Sequence, residues 1–231
     1  MAQMLAMIHT SPTLTPVFGA LAAAEMPEVA VFHMVDESLI KDTIKAGRLR
    51  GLTIRRLLGL IESAEKAGAD AVMVTCSSIG PGVALAQKLF DTPVVRVDEA
   101  MAEKAVLMGR RIGVAATLRT TLEPTIALLR EKAAAAGREI EIVESLSHGA
   151  FDAVLAGDTK THDRILSESL IRDMRGVDLV VLAQASMARV VKEMPKGAIE
   201  APVLSSPELA MQRASVILKD AHRLEAVGAN N

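Results

Sequence analysis

The feature that most constrains this chain is an internal duplication. When the sequence is laid over itself with a shift of about 108 positions, Gly68-Ala-Asp70-Ala-Val-Met-Val-Thr-Cys76-Ser-Ser78 falls on Gly176-Val-Asp178-Leu-Val-Val-Leu-Ala-Gln184-Ala-Ser186. Met7-Ile-His-Thr10 with Thr13-Leu-Thr-Pro16 falls on Val114-Ala-Ala-Thr117 with Thr121-Leu-Glu-Pro124 after a one-residue gap, and Pro93-Val-Val meets Pro202-Val-Leu. Matches that keep their order and nearly their register predict two similar halves.

Each half alternates short apolar runs with helical stretches. The runs at 4–8, 29–34, 71–74, 94–97, 111–115, 140–143, 179–182 and 203–204 are apolar almost throughout, as suits strands buried on both faces. Helices are predicted over 52–67, 82–90, 99–108, 122–136, 163–174 and 207–224, with Gly68 and Gly137 as stops and Pro81 and Pro207 in first turns. The expected fold is α/β with two pseudo-symmetric lobes, each a mainly parallel sheet flanked by helices, and a functional cleft between them. The first lobe is assigned residues 1–97 plus 207–231, the second 98–206.

Composition removes several functions. The 231 residues are 50% hydrophobic and 23% charged, enough to bury a full core, and carry a net charge of -2. With no Trp or Tyr and four Phe, the chain has neither a basic footprint nor stacking platforms, so nucleic acid is not an expected partner. The N-terminus is apolar only briefly and breaks at Pro12 and Pro16, which fits neither a signal peptide nor a membrane span. A single cysteine, Cys76, excludes an intrachain disulfide and suits a reducing compartment, so a cytoplasmic protein is expected.

In doubly covered parallel sheets, function collects at the carboxyl ends of strands. Those loops hold His9-Thr10-Ser11, Asp36-Glu37-Ser38 and Thr75-Cys76-Ser77-Ser78 in the first half; the second half offers Thr117 to Thr121, Ser147-His148-Gly149 and Gln184-Ala185-Ser186. Cys76 ends a strand and faces a following helix, a setting expected to lower the thiol pKa and favour thiolate. Ser77 and Ser78 can donate to a carboxylate or an enolate oxygen, or cap a helix. His33, inside an apolar strand, reads as a satisfied core residue, and Asp158-Thr159 as a helix cap rather than part of a metal cluster. No metal site is expected.

Thr75-Cys-Ser-Ser78 after the third strand, with a matching loop in the second half and Ile8-His9-Thr10 and Val114-Ala-Ala-Thr117 at the first strands, resembles the aspartate/glutamate/hydantoin racemase superfamily. Maleate isomerases and arylmalonate decarboxylases are branches of it. The resemblance covers nearly the whole chain. It implies a cofactor-free enzyme for small carboxylic or amino acids, commonly a homodimer, with Cys76 as the first-lobe reactive cysteine. Substrate contacts are then expected from His9, Thr10, Ser77, Ser78, Thr117, Arg119, Thr121, Gln184 and Ser186.

The departure from the family is Gln184, which stands where racemases carry a second cysteine. An amide neither gives nor takes a proton near neutral pH, so two-thiol racemisation is excluded. A racemase or epimerase needs another titratable group, for which His148 is the first candidate, ahead of His9, Asp36 and Glu37. A cis-trans isomerase needs one thiol that adds to a double bond and leaves, and a decarboxylase needs one that protonates an enolate. Arg119 replaces a tyrosine found in the decarboxylase and maleate branches and can hold a second carboxylate, or simply start a helix at the surface. The missing cysteine also permits a non-catalytic small-acid-binding protein.

Overall fold

Strands apolar on both faces need cover on both faces, and the structure, a computed structural model describing residues 3–228 with side chains through residue 221, supplies it for the central strands, while the edge strands at 30–35 and 141–146 stay partly exposed. The chain divides into two compact units, one of residues 1–97 and 207–231 and the other of Asp98–Ser206. Residues 1–2 and 229–231 of the first lie outside the described residues.

In the first unit, strands β1 (Met4–His9), β2 (Ala30–Val35), β3 (Ala71–Val74) and β4 (Val94–Arg96) form one parallel sheet in the order β2-β1-β3-β4. The strands' alternation sends Leu5 and Met7 to one face, where they meet Phe18 and Ala22 of α1 (Leu14–Glu25) and Met211 and Leu218 of α10 (Ser206–Gly228). Ala6 and Ile8 face the other way, onto Leu39 of α2 (Glu37–Ala46) and Leu57 and Ile61 of α3 (Gly51–Lys66). A 3-10 turn at Ser77–Gly82 runs into the four-residue α4 (Val83–Ala86) and adds Ile79 and Val83 to that layer.

The second unit repeats the design. Strands β5 (Arg111–Ala116), β6 (Glu141–Leu146), β7 (Leu179–Leu182) and β8 (Val203–Leu204) pair in parallel in the order β6-β5-β7-β8. Its helices are α5 (Glu99–Met108), α6 (Arg119–Ala135), α7 (Ala150–Leu155), α8 (Thr159–Asp173) and α9 (Met187–Glu193). On one face Ala115, Val180 and Leu182 pack with Leu166 and Leu170 of α8 and Met187 and Val190 of α9.

The duplicated residues do duplicated work. Asp70 accepts the N–H of Met4 at 2.6 Å, and Asp178 accepts those of Arg110 and Arg111 at 2.7 and 2.8 Å, so each aspartate ties the start of its neighbouring strand. Two residues earlier, Gly68 and Gly176 take φ of 88° and 68°, the left-handed conformation in which a helix stops and the chain turns into the next strand.

Two expectations need correction. The helix predicted over 82–90 starts earlier, directly after Cys76, as the 3-10 turn, because Gly80, Pro81 and Gly82 oppose α-helical geometry. Helices α1, α2, α7 and α9 occupy stretches that were assigned no element. In α1, LTPVFGALAAAE, nearly every side chain is apolar or small, so no helical contrast between faces exists to be read. Among the described residues no helix is long and apolar enough to cross a membrane.

Gly68→Ala and Gly176→Ala are each expected to destabilise the protein by about 1–2 kcal/mol, because alanine is strained at positive φ. Gly59→Ala, on the exposed face of α3 with open space around its Cβ, is expected to be neutral or stabilising. Denaturant titrations of the three variants check the contrast.

Candidate active site

Parallel pairing places Ile8 beside Val74, so the residues that follow, His9-Thr10 and Thr75-Cys76, leave the sheet side by side. Cys76 is the last extended residue before the 3-10 turn, at φ -123° and ψ 115°. The Thr10 and Ser78 side chains and the Ser78 and Ile79 main-chain N–H groups lie close enough to its sulfur to favour the thiolate, while the Ile79 N–H also donates to the Cys76 carbonyl at 3.3 Å. Thr10, Ser77 and Ser78 are buried.

The thiol pKa is a correction. Sequence reasoning expects a value lowered by the helix start; in the structure, burial pushes the thiol above its ordinary range, and the four donors offset this only in part. The resting group is therefore a neutral thiol with its thiolate contacts already in place. Gly80 keeps the turn in position: a Cβ there would collide with Nε of Arg96, a buried charge on the neighbouring strand β4 that sequence reading did not single out.

His9 is also a correction. Expected to touch substrate, it is instead fully buried, with Nδ1 2.8 Å from the Thr75 hydroxyl and Nε2 2.9 Å from Nδ1 of His33. Its ring packs near Phe18 at a centroid distance of 5.7 Å. Both nitrogens are engaged within the first unit, which leaves no edge for a ligand. Alternation carries the signal that was missed, since Leu5, Met7 and His9 share the face covered by α1. Asp36 caps α2, accepting from the Ser38 N–H at 3.0 Å and pairing with Arg56 at 2.7 Å, which lower its pKa despite partial burial. Glu37 is exposed in the first turn of α2, within 3.6 Å of Lys41.

In the second unit the equivalent of Cys76 is engaged differently. Gln184 Oε1 accepts the N–H of Thr117 at 2.7 Å and its hydroxyl at 2.9 Å. A main-chain donor fixes which end of the amide is oxygen, leaving the Nε2 hydrogens as the outward donors. The Ser147 hydroxyl, fully buried after β6, and that of Thr120 have no hydrogen-bond partner among the described residues. Thr121 is buried in the first turn of α6. Arg119 is 61% exposed and lies 3.6 Å from Glu123 along the same helix. His148 and Ser186 are exposed, Ser186 at the N-cap of α9. The structure thus joins Thr10, Cys76 and Ser78 in one unit and Thr117 and Gln184 in the other, and leaves Arg119, His148 and Ser186 at the surface. Asp158 caps α8 through the Thr161 N–H, 3.0 Å away, as its sequence position predicts.

Burial gives His9 a pKa of about 4 rather than 6.5, with the adjacent His33 adding to the effect. Between these values the unfolded chain binds a proton that the folded chain refuses, so stability falls as pH drops through this window. The loss from His9 is roughly 3 kcal/mol on going from pH 6.5 to 4. Thermal melts across this range are expected to show a flatter dependence for His9→Asn than for the parent; equal slopes would contradict the buried neutral histidine.

The sequence profile described as Asp/Glu/Hydantoin racemase matches residues 6–214. A hydantoin racemase from Rhizobium meliloti is 24% identical over 217 residues, covering 92% of this chain and 87% of the relative. A glutamate racemase from Bacillus anthracis superposes with a TM-score of 0.70 at 16% identity, over 94% of this chain and 82% of that one. An allantoin racemase from Klebsiella pneumoniae gives 0.61 at 19% identity, over 98% and 89%. At these identities the structural likeness establishes the fold alone.

Proposed function

The chain belongs to the Asp/Glu/hydantoin racemase family and is an enzyme of that superfamily, and from this premise we propose a cofactor-independent isomerase that acts on a small carboxylic or amino acid through one cysteine. The observation that carries the proposal is the placement of Cys76 at the paired ends of β1 and β3, beside the buried side chains of Thr10 and Ser78, whose hydrogen bonding favours its thiolate. Donors aimed at a neutral thiol gain most when it becomes a thiolate, so they favour proton transfer between Cys76 and a carbon next to a carboxylate. The resting protonated thiol is ready to deliver a proton; removing one requires that the thiol first ionise.

Gln184 supports a one-thiol mechanism, because its carbonyl oxygen is spent on Thr117 and its Nε2 can only donate. The same observation favours a second reading, a decarboxylase of a malonate-like diacid, in which Cys76 protonates one face of an enolate. In the racemase or epimerase form the other proton carrier is assigned to His148. The free thiol fits a cytoplasmic setting, and the working form is taken to be a homodimer.

The test is incubation in deuterated water with a panel of small amino, hydroxy and dicarboxylic acids, followed by proton NMR. Exchange at a carbon next to a carboxylate, or a shifted vinyl signal, is expected for the isomerase, and loss of a carboxylate for the decarboxylase. Cys76→Ala is expected to lower the rate by about 10²-fold or more. Silence across the panel would count against the proposed activity and favour a small-acid-binding protein.

A further inference from the structure

Beneath the thiol lies a hydrogen-bonded chain whose direction can be worked out. Its links are His33 Nδ1 to His9 Nε2 at 2.9 Å, His9 Nδ1 to Thr75 Oγ1 at 2.8 Å, and the Thr75 hydroxyl to the carbonyl of Ile8 at 3.1 Å. If Thr75 donates to Ile8, its oxygen accepts from His9 Nδ1–H, and His9 Nε2 then accepts from His33 Nδ1–H. All three bonds form, and only a lone pair, on His33 Nε2, is left over against Gly19 of α1. In the reverse direction the Thr75 bond to Ile8 is lost. The first direction, which keeps all three bonds, is therefore favoured. The chain ends on a backbone carbonyl, so it delivers no proton to the sulfur.

What it does reach is the pair of residues that holds the thiol. His9 precedes Thr10 and Thr75 precedes Cys76, so the His9–Thr75 bond ties together the two backbones whose next side chains meet at the sulfur. We infer that His9 and His33 are positioning residues: His33 keeps the proton of His9 on Nδ1, and that N–H, through Thr75, sets the Thr10 hydroxyl against the Cys76 sulfur. A lone pair in place of the Nδ1 hydrogen would release Thr75 and loosen the Thr10 contact. Sequence reading treated the two histidines separately, one as a ligand contact and one as core; their function lies in the bond between them.

The inference rests on Cys76 being the working group of the proposed isomerase, but its test needs no substrate. In the full-length protein labelled with 15N-histidine, at neutral pH, His9 is expected to show a protonated Nδ1 and an unprotonated Nε2, assigned by comparison with His9→Asn. Finding the proton on Nε2, or a fully protonated ring, overturns the inference. In parallel, His33→Leu removes the donor, and Cys76 alkylation by iodoacetamide is expected to slow by about three- to tenfold as thiolate stabilisation weakens. His33→Asn, which keeps an N–H donor near the position of Nδ1, is expected to restore the rate. An unchanged rate, or a faster one from a merely loosened loop, contradicts the positioning role; if His33→Leu does not fold, the tautomer measurement decides. Silence in the substrate panel would count against the proposed activity and leave these readouts intact.

Discussion

The parallel pairing of β1 with β3 is the constraint on which the rest depends. It aligns Ile8 with Val74, so two chains leave the sheet together and their next residues become partners: His9 with Thr75, then Thr10 with Cys76. The register is held by packing: the two faces of the sheet meet different sets of helix side chains, and a one-residue slip would exchange the residues that those two close-packed layers accommodate. The second unit has the same pairing between β5 and β7 and the same outcome, with Thr117 meeting Gln184. One topology thus yields a thiol in one unit and an amide in the other.

The thiol is held between opposing effects. Burial disfavours its charged form, while two hydroxyls and two main-chain N–H groups favour it. Hydrogen bonds to a charged group are worth about 1.5–3 kcal/mol each, so the donors rival the desolvation penalty without removing it. The result is a proton kept at rest, together with a place prepared for the anion once the proton leaves. The rigidity that makes such a balance reproducible comes from the residues just before the loop, where buried His9 bonds to Thr75 and to the half-buried His33.

Much of this was legible in the sequence. The repeated Gly-x-Asp announced repeated strand starts, and Asp70 and Asp178 perform the same tie in both units. The continuous apolar runs gave the parallel sheets, and the break after Val74 located the thiol. What escaped was set by three-dimensional proximity or by weak periodicity. His9 and His33 are 24 positions apart and become partners only because β1 pairs with β2. The direction of the thiol shift depended on packing density around the sulfur, which no local motif encodes. Arg96 reads as an ordinary strand residue until Gly80, on the turn after Cys76, leaves space for its guanidinium.

The central claim is that the reaction depends on Cys76, the thiol that performs the covalent or proton-transfer work. Progressive alkylation of the native protein by iodoacetamide, with modified Cys76 counted by mass spectrometry and turnover of an accepted acid followed in the same samples, tests it most directly. The account predicts that activity falls in proportion to alkylated Cys76 and that the acid slows both losses together. Full activity in a protein whose Cys76 is completely alkylated would contradict it.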